Sequence, residues 1–109
     1  MELASFPFQT IPWDSIPWQP HKGESGVAYW KTFQMGTIRI RKVKYSEGYI
    51  ADHWCTKGHI IFCYDGKMLT ELEDGRKFEL KAGMTYCTGD NNEPHKTSTK
   101  YGCKLFIVD

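Results

Sequence analysis

With 109 residues, 40% of them hydrophobic, the chain has the size and apolar content of one compact domain. Its 14 basic and 13 acidic residues are interspersed and leave a net charge of +1; no basic run suited to a phosphate backbone exists, so nucleic acid is not an expected partner. No apolar stretch reaches membrane-spanning length, and residues 1–10 lack a basic start followed by an apolar run, so no membrane partner is expected and the expected location is the cytoplasm.

Residues 1–26 are rich in proline, aromatics and glycine and carry a near-repeat, Ile11-Pro12-Trp13 and Ile16-Pro17-Trp18. Proline removes backbone donors and favours extended conformations, so an irregular arm is expected there, with Phe6, Phe8, Trp13 and Trp18 packed on the domain or on a partner subunit. His21, between Pro20 and Lys22, reads as an exposed loop residue. Residues 27–109 form the domain proper. Val27–Met35 is aromatic and β-prone, Gly36 breaks it, and Thr37–Tyr45 alternates Ile38 and Ile40 with Arg39 and Arg41. Asp65-Gly66 and Asp74-Gly75 each lie between β-like runs and are the dipeptides of two-residue hairpin turns. Phe78–Leu80, Met84–Cys87 and Cys103–Val108 continue a series of short strands, and no segment shows a helical period. An all-β sandwich or barrel is the expected class.

The chemistry concentrates in Gly48–Gly66. Read as a strand, this stretch places His53 and Cys55, two residues apart, on one face and Trp54 on the other. His59 returns to the same space after the Thr56-Lys57-Gly58 turn, and His95 would join from a distant strand. Imidazole and thiolate ligands suit a transition metal ion, with zinc, iron or nickel first among them, rather than magnesium or calcium. In a reducing compartment the four cysteines are thiols; Cys63, Cys87 and Cys103, in apolar runs, read as small core residues. Cys55 is either the fourth ligand of a closed tetrahedral site or an unligated pocket thiol beside three histidines. Tyr86 fits a pocket hydrogen-bond donor or a core residue. Arg39 and Arg41 fit an anion anchor if their face is interior and solvated charges if it is not.

The spacing Gly48, four residues, His53-x-Cys55, three residues, His59, six residues, Gly66 resembles the first motif of the cupins, with cysteine for its second histidine and histidine for its glutamate. Gly83 through His95 is similar to the second motif, one residue longer and without its proline. Asp52-His53-Trp54-Cys55, Asp74-Gly75-Arg76 and Leu105-Phe106-Ile107-Val108-Asp109 further resemble a small, mainly bacterial cupin group named for an Asp-His-Cys-Trp motif, with the Trp and Cys order exchanged. The resemblance implies a single jelly-roll-like β-barrel, one transition metal held by His53, Cys55, His59 and His95, and a homodimer. It implies no particular reaction. A metal-dependent protein acting on or binding a small molecule in the barrel mouth, a non-enzymatic sensing module with a closed His/Cys site, and a cupin that has lost its metal all remain compatible with these residues.

Overall fold

The structure, a computed structural model, describes Leu3 and residues 5–109. After a 3-10 turn at Trp13–Ser15 the described residues run through eight strands: β1 (Gln19–Lys22), β2 (Val27–Met35), β3 (Ile38–Tyr45), β4 (His59–Leu72), β5 (Lys77–Lys81), β6 (Thr85–Thr88), β7 (His95–Ser98) and β8 (Cys103–Val108). Their order is β1-β2-β3-β8-β4-β5, and β6 and β7 also pair with β4. Every pairing is antiparallel. The first half of β4 lies between β6 and β8, and its second half between β5 and β7, so this one strand joins the two sheets of the jelly roll.

The change of sheet happens at Asp65-Gly66, where a hairpin turn was expected. The dipeptide instead lies inside β4, at a register shift against β8 between Cys63 and Asp65, with Gly66 at φ 75°. A bulge and a tight hairpin make the same demand, a residue at positive φ, so the dipeptide marks both equally well. Asp74-Gly75 does close a turn, between β4 and β5, with the Asp74 carboxylate accepting from the Arg76 N–H. The sheet also begins earlier than expected. Gln19–Lys22, within the stretch read as irregular, pairs along the edge of β2 as β1. His21 is exposed, in a strand rather than a loop, and stacks on Trp30 at 3.8 Å. The Trp13 ring meets Phe106 edge-on at 6.4 Å, and the Lys31 and Lys44 ammonium groups sit over the Trp18 ring.

Alternation along the strands sets the core. Ile61, Cys63, Met68, Leu80, Cys103, Leu105 and Ile107 meet Val43 in one buried cluster, and Cys63, Leu105 and Val43 are fully buried. Cys87 departs from the expectation of a core residue: on β6 it alternates with the inward Tyr86 and is exposed. The same alternation carries Arg41, in phase with Val43, into the interior, where it is 4% exposed.

Candidate metal centre

Three of the four expected ligands converge. The ligand atoms of Cys55, His59 and His95 all lie within 4.8 Å of one another. Backbone pairing dictates the meeting: Cys55 and His95 face each other across an isolated antiparallel bridge, the Cys55 N–H donating to the His95 carbonyl at 2.7 Å and the His95 N–H returning to the Cys55 carbonyl at 3.0 Å. His59 opens β4 on the same interior face and is 8% exposed, His95 4%.

His53 is not part of the group. Residues 52–53 form a bend rather than the strand expected from spacing, so the two-residue alternation that would align His53 with Cys55 does not operate. Its side chain is 72% exposed at the cavity rim, and its Nδ1 lies 2.6 Å from Asp52 Oδ1.

Each buried imidazole is oriented by a partner at Nδ1. That of His95 donates to the Glu93 carbonyl at 2.9 Å, and that of His59 to the Asp109 carboxylate at 2.7 Å. With the Nδ1 protons engaged, both Nε2 atoms are left for the cluster. His59 Nε2 is 3.3 Å from Cys55 Sγ, and His95 Nε2 is buried with no hydrogen-bond partner among the described residues. A buried nitrogen without a partner is costly, and a metal ion at the centre of these three atoms would satisfy it. In the metal-free cluster an Nε2–H of His59 donating to the sulfur, and after it the neighbouring His95 imidazole, pull the Cys55 thiol down to about 5, which makes the sulfur a thiolate at neutral pH. Burial lowers His59, but its bonds to Asp109 and Cys55 outweigh that and leave it raised; the Cys55 sulfur raises His95. The donor set fits a transition metal: two neutral imidazoles, one thiolate, and a carboxylate behind one of the rings.

Asp109 is the site residue that spacing alone missed. The backbone pairs it with Arg39, and the β4–β8 register, Ile60 opposite Val108, brings it level with His59. Arg39, Asp109 and His59 thus lie in a row across three strands. The carboxylate has no exposure; it accepts from Arg39 Nε at 2.8 Å and Nη2 at 3.1 Å, and from Arg41 Nη2 at 2.8 Å. Burial alone would raise it, yet the His59 and arginine bonds hold it well below the ordinary carboxylate range. A signal was present. Cys103, Leu105 and Ile107 are the inward positions of β8, and Asp109 falls in phase with them, where a carboxylate needs partners. Arg39 and Arg41 therefore face inward, and their first anion is the protein's own.

A cavity of about 430 Å³ opens from the cluster, walled by Trp30, Arg39, Arg41, Tyr45, Tyr49 and Tyr86. Tyr86 lies half-buried with its ring centroid 6.2 Å from that of His95, and burial raises its hydroxyl, which stays protonated.

No family model and no curated protein matches the chain. Solved structures do. A predicted oxalate decarboxylase of Thermotoga maritima is similar at 13% identity over 92% of this chain and 96% of that one, with a TM-score of 0.77. FeII HppE is similar at 12% identity over 98% of this chain and 62% of its own, with a TM-score of 0.74. A cupin-2 domain containing protein of Shewanella frigidimarina shows 20% identity over 71% and 74% of the two chains, with a TM-score of 0.57. At such identities the likeness speaks for architecture alone, and it agrees with the two-sheet jelly roll: the chain has the cupin fold.

Proposed function

We propose that this cupin holds one transition metal ion by the Cys55 thiolate and the Nε2 atoms of His59 and His95, and acts on or binds a small molecule in the adjoining cavity. The observation that carries the reading is the pair of imidazoles whose Nδ1 atoms are already engaged, leaving two Nε2 atoms and a thiolate aimed at one point. Three protein ligands leave a position open, as catalytic sites do and closed structural sites do not. When bound, the ion would supply Lewis acidity to a substrate oxygen or to water. Asp109 fixes the His59 ring and its tautomer, Glu93 does the same for His95, and the Tyr86 hydroxyl offers a donor at the cavity wall. A non-enzymatic module with a closed site would require a fourth ligand, and His53 faces solvent instead. Iron stands beside zinc and nickel among the candidates, supported by the iron(II) of the similar HppE structure. The assembly proposed is a homodimer and the location the cytoplasm, where four free thiols persist.

One observation favours a second reading. The line Cys55 Sγ, His59 Nε2, His59 Nδ1, Asp109 Oδ2, with steps of 3.3 and 2.7 Å, has the connectivity of a thiol nucleophile, its base and the base's orienting carboxylate. His95 separates the two. Elemental analysis of untagged protein is expected to show one metal per chain, reduced at least about tenfold in His95→Ala. Metal-free wild type, or metal content unchanged in His95→Ala, would sink the metal reading and leave the thiol relay.

A further inference from the structure

The two sheets part on one side of the barrel. Among the described residues β5 pairs only with the second half of β4 and β6 only with the first half, so each ends its sheet as an edge strand. The connection between them crosses at the β4 bulge, where the Ala82 N–H donates to the Gly66 carbonyl at 2.9 Å and the Gly83 N–H to the Cys63 carbonyl at 2.7 Å. Residues of both edges line a second cavity, of about 310 Å³. Its apolar wall is Leu72 of β4, Phe78 and Leu80 of β5, and Met84 of the connection. Phe78 stands opposite the buried Thr70, on the inward side of its sheet, yet it is 52% exposed, and Met84 is 45% exposed. Apolar side chains that line a concavity and still meet water gain from a guest that replaces the water. The charges at the rim are already matched, Glu79 with Lys81 at 3.4 Å and Glu93 with Arg76. The Thr70 hydroxyl and His95 Nε2 lie buried in the wall, out of a guest's reach. Tyr86 and His95 line both this cavity and the one of about 430 Å³ and so stand between the two.

We infer that the cleft between β5 and β6 is a binding site for an uncharged, apolar small molecule of the size of an alkylbenzene. An apolar cavity of roughly 150 Å³ holds benzene, so about 310 Å³ has room for an aromatic ring with a short alkyl arm. A charged guest would give up its hydration and find no unpaired opposite charge in exchange. Residues of four strands and of the β5–β6 connection surround the space, which is the concave form of a small-molecule site and not the flat face that a protein partner covers. The cleft needs no metal for this, so the site goes beyond the metal reading and stands or falls apart from it.

The test is NMR titration of the full chain, its methionine methyl groups labelled with carbon-13, against ethylbenzene and against two charged molecules of similar size, benzylamine and benzoate. The Met84 methyl signal is expected to shift saturably with ethylbenzene while that of Met35, on β2 and outside the cavity, stays in place. Ethylbenzene should bind at least about tenfold more tightly than either charged probe. Phe78→Glu, at a half-exposed rim position, should weaken ethylbenzene binding at least about tenfold, with the Met35 signal and the unfolding midpoint close to those of the wild type. Should that variant fail to fold, the Met84 shift and the preference among the three probes decide the question without it. No saturable Met84 shift, a Met35 shift as large as that of Met84, a charged probe bound as tightly as ethylbenzene, or a folded Phe78→Glu variant that binds as the parent does would each overturn the site. So would a Met84 signal that responds to dilution of the protein and not to ethylbenzene, which would assign the cleft to a second copy of the chain.

Discussion

Cys55 combines partial exposure with two imidazole nitrogens within reach, and that combination makes its titration measurable. Because hydrogen bonding to His59 lowers the folded value to about 5, the charged sulfur stabilises the fold above the pKa of a free thiol, roughly 8.5. That contribution is lost as pH falls through about 5. In metal-stripped protein carrying Cys87→Ser, iodoacetamide should modify Cys55 with a half-maximal rate near pH 5, while Cys103, pushed up to about 12 by burial, stays inert. Adding His59→Gln should move the midpoint up towards the free-thiol value, and added zinc should slow modification of the parent protein. A midpoint already at roughly 8.5 with His59 intact would contradict the Cys55–His59 bond. Spacing singles out Cys55 and His59, ligand residue types close in sequence, and the structure brings them together with the distant His95. The failure at His53 and the omission of Asp109 share a cause: alternation holds only inside a real strand. Alternation fails across the bend at Asp52-His53 and continues from Ile107 to Asp109.

At the scale of elements, β4 organises the molecule, since it belongs to both sheets and starts at His59. Its bulge separates two glycines that sequence alone ranks as equivalent. Gly66 and Gly75 both lie at positive φ, 75° and 96°, so alanine at either meets the left-handed penalty of roughly 1–2 kcal/mol. Space separates them. A Cβ on Gly75 meets nothing within 4 Å, whereas one on Gly66 would press into the Gly102 carbonyl oxygen and crowd Cys103. Gly66→Ala should therefore destabilise by at least about 1 kcal/mol more than Gly75→Ala in urea unfolding. It should also weaken metal binding, because the bulge aligns the half of β4 that carries His59; equal costs for the two variants would contradict the bulge. Turn chemistry in the sequence revealed the need for positive φ at Asp65-Gly66 but could not distinguish a hairpin from a bulge, as that choice rests on strands β5 to β8 far along the chain. β1 was hidden for a related reason: Pro20 argues against a central strand and is tolerated on this edge strand.

For the whole molecule, the barrel sorts side chains into an interior that builds the site and an exterior that should be polar wherever it meets only water. One exterior face is not polar. On β4, Ile61 and Cys63 point into the core, and the alternate residues Ile60, Phe62 and Tyr64 point outward at 43%, 39% and 39% exposure. The β4–β8 register extends the face, setting Ile60 beside Val108 and Phe62 beside Phe106. The described residues cover the run Ile60-Ile61-Phe62-Cys63-Tyr64 on one side, apart from the Trp13 edge against Phe106. Charge is confined to the margin, where Lys42 lies over Tyr64 and Lys104 approaches Asp65 at 3.7 Å. An apolar centre with a charged margin is complementary to itself across a two-fold axis, which supports the proposed homodimer. Phe62→Glu would place a carboxylate at that centre in both copies. At roughly 2 kcal/mol per copy, the dimer dissociation constant should rise about a thousandfold. Sedimentation equilibrium should then find the wild type dimeric and Phe62→Glu monomeric with unchanged metal content, because Phe62 points away from the cluster. A monomeric wild type, or a Phe62→Glu variant that dimerises as the parent does, would remove this face from any role in assembly.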